Sequence, residues 1–373
     1  MTITEATGTL PTLPGRYYHD PAIHAAERER IFGRGWLCVG YAAQLPDAGD
    51  YLTAELDGES AIVVRGRDGA LRAFLNVCRH RGARLCAEPC GRLAGAIRCK
   101  YHAWTYALDG RLIGVPNMPG DELDRDAHGL VPVALAEWAG LLHLNFAEGA
   151  DAADFPALAS AALLERFGEE ALFARYRLGD LRVARSIAYA VGANWKLVIE
   201  NFLECYHCGP MHPELCDLLP GFRGGVAYQQ GLGTAFAEGV EAFTLSGKAS
   251  RPPLPALNDD DRQRYYGLVF KPNILMSLLP DHVVVHRLWP VGPTATRVVC
   301  DWLFHPDAIA RPDFDPEDAV ALFDLVNRQD WEVCELAQVG VRSRAYRQGG
   351  QYVPLEHHIR RFNDWVLEMT NDE

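Results

Sequence analysis

The stretch "NVCRHRGARLCAEPCGRLAGAIRCKYHAWTYALDG", residues Asn76–Gly110, decides how the first part of the chain is read. It carries two Cys-His pairs, Cys78 with His80 and Cys99 with His102, and is embedded in hairpin sequence. Upstream, "YLTAELDGESAIVVRGRDGALRAFLNV" (Tyr51–Val77) alternates apolar and polar residues and is broken by the Asp57-Gly58 and Asp68-Gly69 turn pairs. Downstream, "HAWTYALDGRLIGV" turns at Asp109-Gly110, and "LLHLNF" from Leu141 reads as one more strand. A small antiparallel β domain ending near Phe146 is expected, with the two Cys-His pairs on two of its loops.

Two chemistries fit four such ligands. One is a structural zinc; the other is a two-iron, two-sulfur centre in which two thiolates hold one iron and two imidazoles the other. In a zinc finger the histidine pair usually follows the cysteine pair. Here each loop offers one Cys and one His, as a symmetric cluster cradle requires, so the second chemistry is favoured. Cys86 and Cys90 lie between the pairs; they read as small residues of a connecting loop, with a cap disulfide or alternative ligation as the competing reading.

Beyond Phe146 the character changes. "AEGADAADFPALASAALLERFGEEAL" (Ala147–Leu172) passes from turn residues to an Ala/Leu helix and marks a boundary. "RVARSIAYAV" reads as a strand, "NWKLVIENFLECYHC" as a helix ended by Gly209-Pro210, and Gly267–His305 as three or four antiparallel strands. "DPEDAVALFDLVNRQDWEVCELAQVG" reads as a helix with Asp315 as N-cap, Pro316 at the first helical position and an end near Gly340. The fold class expected is α+β, a small antiparallel β domain plus a larger domain whose antiparallel sheet is flanked by helices.

A second constellation sits in the larger domain. On the expected helix Glu200, Glu204 and His207 are spaced i, i+4, i+7 and share a face, with Trp195, Val198 and Phe202 toward the core. His212 follows the Gly209-Pro210 break. Two imidazoles so placed can reach one metal if a carboxylate comes from elsewhere, the two-His, one-carboxylate set of non-haem iron(II). The Cys205/Cys208 spacing alone would equally suit zinc or a redox dithiol.

Bulk properties narrow the function classes. The 373 residues, 49% of them hydrophobic, can fill more than one core, and the net charge of −13 without a Lys/Arg-rich run opposes nucleic-acid and anionic-membrane partners. The first twenty residues lack the basic and apolar regions of a signal peptide, and no apolar run approaches the roughly 20 residues that span a bilayer. A cytoplasmic enzyme is expected. The ten cysteines are scattered, so thiols or metal ligands are expected rather than a disulfide framework.

Taken together, "IFGRGWLCVGY", "NVCRHRG", "CKYHAWTYALDGRL", "NWKLVIENFLECYHCGPMHPEL" and "NRQDWEVCELAQVG" resemble the catalytic (oxygenase) subunit of the Rieske non-haem iron oxygenases over nearly the whole chain. The resemblance implies a Rieske 2Fe-2S cluster on Cys78, His80, Cys99 and His102, and one mononuclear Fe(II) on His207, His212 and Asp330. On bare composition Asp330, Asp324, Glu332 and Glu335 would each read as part of a solvated acidic face; the motif singles out Asp330. Glu204 matches the acid that, in the family, hydrogen-bonds an iron ligand and a cluster histidine of the neighbouring subunit matching His102, bridging the two centres. A homotrimer is therefore implied. Cys205 and Cys208 are expected to pack, and Glu200 has no role assigned. The implied domains are 1–38, an N-terminal segment packing with the catalytic domain; 39–148, the Rieske domain; and 149–373, the catalytic iron domain.

The family cycle uses O2 and electrons from a separate NAD(P)H-dependent flavin reductase to insert oxygen into a C-H bond of a small-molecule substrate. The absence of a Gly-rich nucleotide fingerprint beside a strand-helix turn agrees with a separate reductase. The motifs most resemble the branch acting on glycine betaine, choline and carnitine, where hydroxylation of an N-methyl group releases formaldehyde. An aromatic cage is then expected, and Tyr206, Phe270, Trp289, Trp302 and Phe304 are candidates by residue type, with core packing the alternative. Competing readings are an oxygenase acting on an aromatic ring or aromatic methyl ether, a plain electron-transfer Rieske protein, and a zinc-stabilised module.

Overall fold

The computed structural model describes residues 10–56, 58–119, 122–225 and 233–370. Two compact units form, one from Phe32–Leu158 and the other from the N-terminal segment through Ile31 together with the chain from Ala159 onward. In the first, strands β1 (Leu37–Tyr41), β2 (Asp50–Leu56), β3 (Glu59–Arg65), β4 (Leu71–Leu75), β5 (Cys90–Arg92), β9 (Pro132–Trp138) and β10 (Leu141–Asn145) make an antiparallel sheet of order β1-β10-β9-β4-β3-β2-β5. Strands β6 (Ile97–Arg98), β7 (Thr105–Tyr106) and β8 (Leu112–Gly114) form a second, smaller sheet. Because β1 pairs with β10, Phe32–Cys38 belong with the β unit rather than with the N-terminal segment assigned from sequence. The expected hairpins are present: β2 pairs with β3 up to Leu56↔Glu59, although Asp57 of that turn lies outside the described residues. Gly69 and Gly110 take the positive φ, +80° and +89°, that their turns require.

The second unit holds one antiparallel sheet of order β11-β16-β15-β14-β13-β12, from β11 (Arg182–Val191), β12 (Thr234–Ala235), β13 (Arg264–Phe270), β14 (Ile274–Leu278), β15 (His282–Gly292) and β16 (Ala295–Phe304). Gly267–His305 thus supplies the four-stranded reading. Val283, Val284 and Val285 are all fully buried, so β15 is covered on both faces. One cover is the long helix Glu317–Gly340, whose buried Phe323, Asn327 and Trp331 recur every four residues. Its Phe323 ring meets Trp302 of β16 and His286 of β15, with centroids 6.5 and 6.3 Å apart.

Two helix boundaries differ from the sequence reading. The long helix starts at Glu317 with Pro316 as N-cap, and Asp315 still caps it through the Glu317 amide at 2.9 Å. The larger difference is upstream. The helix that opens with Asn194 as N-cap ends at Phe202, not at Gly209-Pro210, which instead lie inside a separate short turn, Cys208–Met211. The cause is the Glu204 carboxylate, which folds back to accept the amides of Tyr206 and His207 and so competes with helical backbone bonding.

Nothing in the sequence reading located the buried pair that fixes this helix. Lys196 and Glu27 are 0% and 1% exposed and lie 2.5 Å apart, and Trp195 Nε1 donates to the other Glu27 oxygen at 2.9 Å. These bonds tie the helix Pro21–Glu27 to the helix Trp195–Phe202. Among the described residues no helix is long and apolar enough to cross a membrane.

Candidate functional site

The two cysteine-histidine loops of the β unit repeat one backbone design. The amide of Cys78 donates to the carbonyl of Ala83, and that of Cys99 to Trp104, both at 2.8 Å. The amides of Gly82 and Ala103 return to the carbonyls of Cys78 and Cys99, both at 3.0 Å. In each loop the fourth residue after the cysteine therefore turns left-handed, with φ +71° at Gly82 and +58° at Ala103. For alanine that conformation costs about 1–2 kcal/mol, which the surrounding hydrogen bonds must hold in place.

The loops sort their ligands by softness. Cys78 and Cys99 are buried and free of disulfides, while His80 and His102 are exposed with ring centroids 4.8 Å apart. His80 stacks on Trp104 at 4.9 Å and 9°, which fixes its ring plane. Tyr106 Oη accepts from the Arg79 amide at 2.9 Å and sits 3.4 Å from Cys78 Sγ, where it can donate to a thiolate. Two buried sulfurs and two outward imidazoles fit a two-iron cluster with one protected and one exposed metal. Cys86 is buried, as the packing reading expects, whereas Cys90 is exposed on β5; the two are unbridged, so the cap disulfide is absent.

In the larger unit His207, His212 and Asp330 come together. Asp330 Oδ1 lies 3.2 Å from His207 Nε2 and 2.9 Å from His212 Nε2. The other ring nitrogens are engaged behind them. His207 Nδ1 is 2.5 Å from Glu204, and His212 Nδ1 is 2.7 Å from Gln329 Oε1. Those oxygens can only accept, so each Nδ1 carries a proton, and Nε2, facing Asp330, is the nitrogen that could turn a lone pair to a metal once the cation displaces its proton. Asn201 Nδ2 points at the same His207 Nε2 from 3.4 Å.

The electrostatics call for a cation. Burial of the His207 ring opposes its protonation, but Asp330 and Glu204 outweigh that and push its pKa up to about 9. Burial likewise opposes ionisation of Asp330, yet the two histidines hold it down at about 2. His207, His212 and Asp330 are the residues that would hold a divalent metal, and their N,N,O set suits non-haem iron, with Glu204 behind His207 Nδ1.

Cys205 and Cys208 do more than pack: they form a disulfide across the turn that carries Tyr206 and His207. Cys208 Sγ lies within 4.8 Å of the ligand nitrogens of His207 and His212, but a bridged sulfur is no thiolate donor, which leaves Asp330 as the third ligand candidate. Glu200 is absent from the group; Tyr18 Oη donates to it at 2.9 Å.

The three ligand candidates open onto a cavity with about 620 Å³ of empty space including its mouth. Its wall is aromatic: Phe222, Phe243, Tyr265 and Phe323 line it, with Phe222–Tyr265, Tyr265–Phe243 and Phe243–Phe323 centroids 5.6, 5.8 and 5.0 Å apart. None of the five cage candidates from sequence lines it. Phe270, Trp302 and Phe304 are consumed by the sheet core, Trp289 is half-buried elsewhere on β15, and Tyr206 is 58% exposed. Residue type cannot report which face of a strand a ring occupies. Gln329 and Asn327, also missed, had one available signal, their adjacency to Asp330 in "NRQD".

Comparison with known proteins follows the same division. Residues 35–134 match the Rieske [2Fe-2S] domain family and residues 178–372 the family described as ring hydroxylating alpha subunit (catalytic domain). The glycine betaine monooxygenase oxygenase subunit of Chromohalobacter salexigens is 35% identical, over 96% of this chain and 85% of that protein. The carnitine monooxygenase oxygenase subunit of Escherichia coli K12 is 30% identical, over 97% and 94%. The crystal structure of the quaternary ammonium Rieske monooxygenase CntA with its substrate γ-butyrobetaine superposes with a TM-score of 0.74 at 26% identity, covering 97% and 96%.

Proposed function

The chain belongs to the Rieske non-haem iron oxygenases, and on that premise we propose that it is a terminal oxygenase that hydroxylates an N-methyl group of a quaternary ammonium or betaine compound, releasing formaldehyde. The observation that carries the substrate class is the aromatic wall facing His207, His212 and Asp330. A desolvated trimethylammonium group over several ring faces gains about 2 kcal/mol, and among the described residues no lysine or arginine lines the cavity to repel it. The names of the relatives point to the same class.

His207, His212 and Asp330 would hold the iron, and Cys78, His80, Cys99 and His102 the cluster. When bound, the two groups supply oxygen activation and single electrons respectively. The chain's own residues do the rest. Glu204 and Gln329 fix the tautomer and ring plane of the two ligand histidines. The aromatic wall excludes water and orients the cation so that one methyl group faces the three ligands. Glu204 also bridges toward His102 of the partner subunit in a homotrimer, an arrangement consistent with the inter-subunit electron transfer described for CntA. Electrons come from a separate NAD(P)H-dependent flavin reductase, in the cytoplasm.

The test is a single turnover of pre-reduced, iron-loaded protein with oxygen against glycine betaine, choline, carnitine and a set of aromatic acids and methyl ethers. Formaldehyde from a quaternary ammonium compound supports the reading. Product from an aromatic compound alone would keep the oxygenase and overturn the substrate class.

A further inference from the structure

The Cys205–Cys208 bridge closes the turn that carries His207, and one of its sulfurs reaches the ligand set. Cys208 Sγ lies 3.9 Å from His207 Nε2, the nitrogen that also faces Asp330, and one nitrogen each of His207 and His212 falls within 4.8 Å of it and of the other. Around a tetrahedral zinc, with Zn–N of about 2.0–2.1 Å and Zn–S of about 2.3 Å, a nitrogen and a sulfur ligand stand about 3.6 Å apart. The Cys208 sulfur is already within about 0.3 Å of that separation from His207. While bridged it carries no negative charge; opened, it becomes a soft thiolate donor once its proton leaves.

The turn does not depend on the bridge. The Cys208 amide donates to the Cys205 carbonyl at 3.1 Å, and the His212 amide to the Cys208 carbonyl at 2.9 Å. The Glu204 carboxylate accepts the amides of Tyr206 and His207. These bonds keep Cys208 beside the two imidazoles when the S–S bond breaks.

We propose that His207, Cys208 and His212 form a second, N,N,S metal set that takes zinc in place of iron, and that the Cys205–Cys208 bridge is the switch between the two sets. With the bridge closed, Asp330 is the third ligand and the set suits iron. A dithiol reductant opens the bridge: it is oxidised to its own disulfide, and its two electrons and two protons leave Cys205 and Cys208 as thiols. As the Zn–S bond forms, the Cys208 proton passes to solvent. Zinc has no redox chemistry, so the oxygenase is off in that state. Bridges in the cytoplasm are usually catalytic or redox-sensing, and an oxygen-consuming enzyme that holds iron only while its thiols are oxidised fits the second use. This inference rests on His207 and His212 as metal ligands, not on the substrate class.

The test uses the full chain with its cluster assembled and the mononuclear site emptied by a chelator, without oxygen. One sample is oxidised with diamide and one opened with dithiothreitol; after desalting, both are offered equal iron(II) and zinc(II), and the metal retained per chain is measured. Alkylation with mass spectrometry reports the state of the two cysteines, and the visible spectrum reports the cluster. Opening the bridge should raise the zinc-to-iron ratio at least roughly tenfold, since losing even an outer partner of a metal ligand changes affinity by that much. Cys208→Ser should hold the ratio at the bridged value with or without reductant. Cys205→Ser, which leaves Cys208 unbridged, should give the opened ratio from the start, and it decides the matter if dithiothreitol does not reach the bridge. Cobalt(II) in place of zinc should add sulfur-to-metal absorption in the opened protein and in Cys205→Ser, absent from Cys208→Ser. A ratio unmoved by both the reductant and Cys205→Ser, a rise that persists in Cys208→Ser, or failure of the two cysteines to bridge would overturn the switch while leaving the iron assignment standing. Bridged protein that retains neither metal would overturn both.

Discussion

Nε2 of His212 and Oδ1 of Asp330 lie 2.9 Å apart although 118 residues separate them along the chain. His207 Nε2 approaches the same oxygen to 3.2 Å, so one carboxylate atom marks the point where a metal would be shared. Asp330→Asn replaces an anionic ligand by a neutral amide. Iron content should fall, with affinity at least roughly tenfold weaker, while the visible spectrum of the cluster persists. Metal analysis beside the absorption spectrum checks this; loss of both signals would mean that the two centres are not independent.

Glu204 touches His207 Nδ1 but is not aimed at the shared oxygen. Glu204→Gln should retain both metals and slow the transfer of electrons between them, seen as slower cluster reoxidation in single turnover with substrate and oxygen. Unchanged reoxidation would remove Glu204 from the bridging role.

Lys196 and Glu27 stand as a buried pair beside Trp195. Lys196→Ala leaves the Glu27 carboxylate buried without its cation and should destabilise the fold by about 3–5 kcal/mol. Urea unfolding followed by fluorescence measures this. A change under about 1 kcal/mol would show that water reaches Glu27.

Burial pushes the Glu200 carboxyl up to about 7 against the opposing pull of Tyr18 and Lys196. The folded state therefore binds this proton more tightly than the unfolded chain, where the group titrates near 4.5. The stabilisation from the proton is fully present below about 4.5 and disappears as pH rises through 7. Glu200→Gln should flatten that part of the pH-stability profile, gaining on the wild type by about 3 kcal/mol between pH 5 and pH 8. Parallel slopes for the two proteins would mean that Glu200 is ionised throughout.

The candidate ligand residues stood out because local covalent spacing limits what each short motif can do. Cys78/His80 and Cys99/His102 fit a two-loop cradle by order alone, and the structure adds the reason for their neighbours, the left-handed turns at Gly82 and Ala103. The β2–β3 and β3–β4 hairpins followed from alternation and Asp-Gly turns, while the short strands β5 and β12 carried no such signal. The helix end at Phe202 did not, because the sequence there has good helix formers and the stop comes from a side chain, Glu204, bonding back to two amides. The Cys205–Cys208 bridge was hidden by the same error, since it forms across a turn rather than along a helix.

By itself, then, the sequence determined which side chains are chemically able to hold the metals and which segments alternate as strands, since both depend on residue type and short-range spacing. Only the tertiary structure decided which rings face the cavity and which nitrogen of His286 meets Asn327. Phe222, Phe243, Tyr265 and Phe323 converge from four segments that no local period connects, and the His286 tautomer is fixed by a chain of hydrogen bonds ending at Asp324. Burial brings such groups together, and it acts on the folded whole.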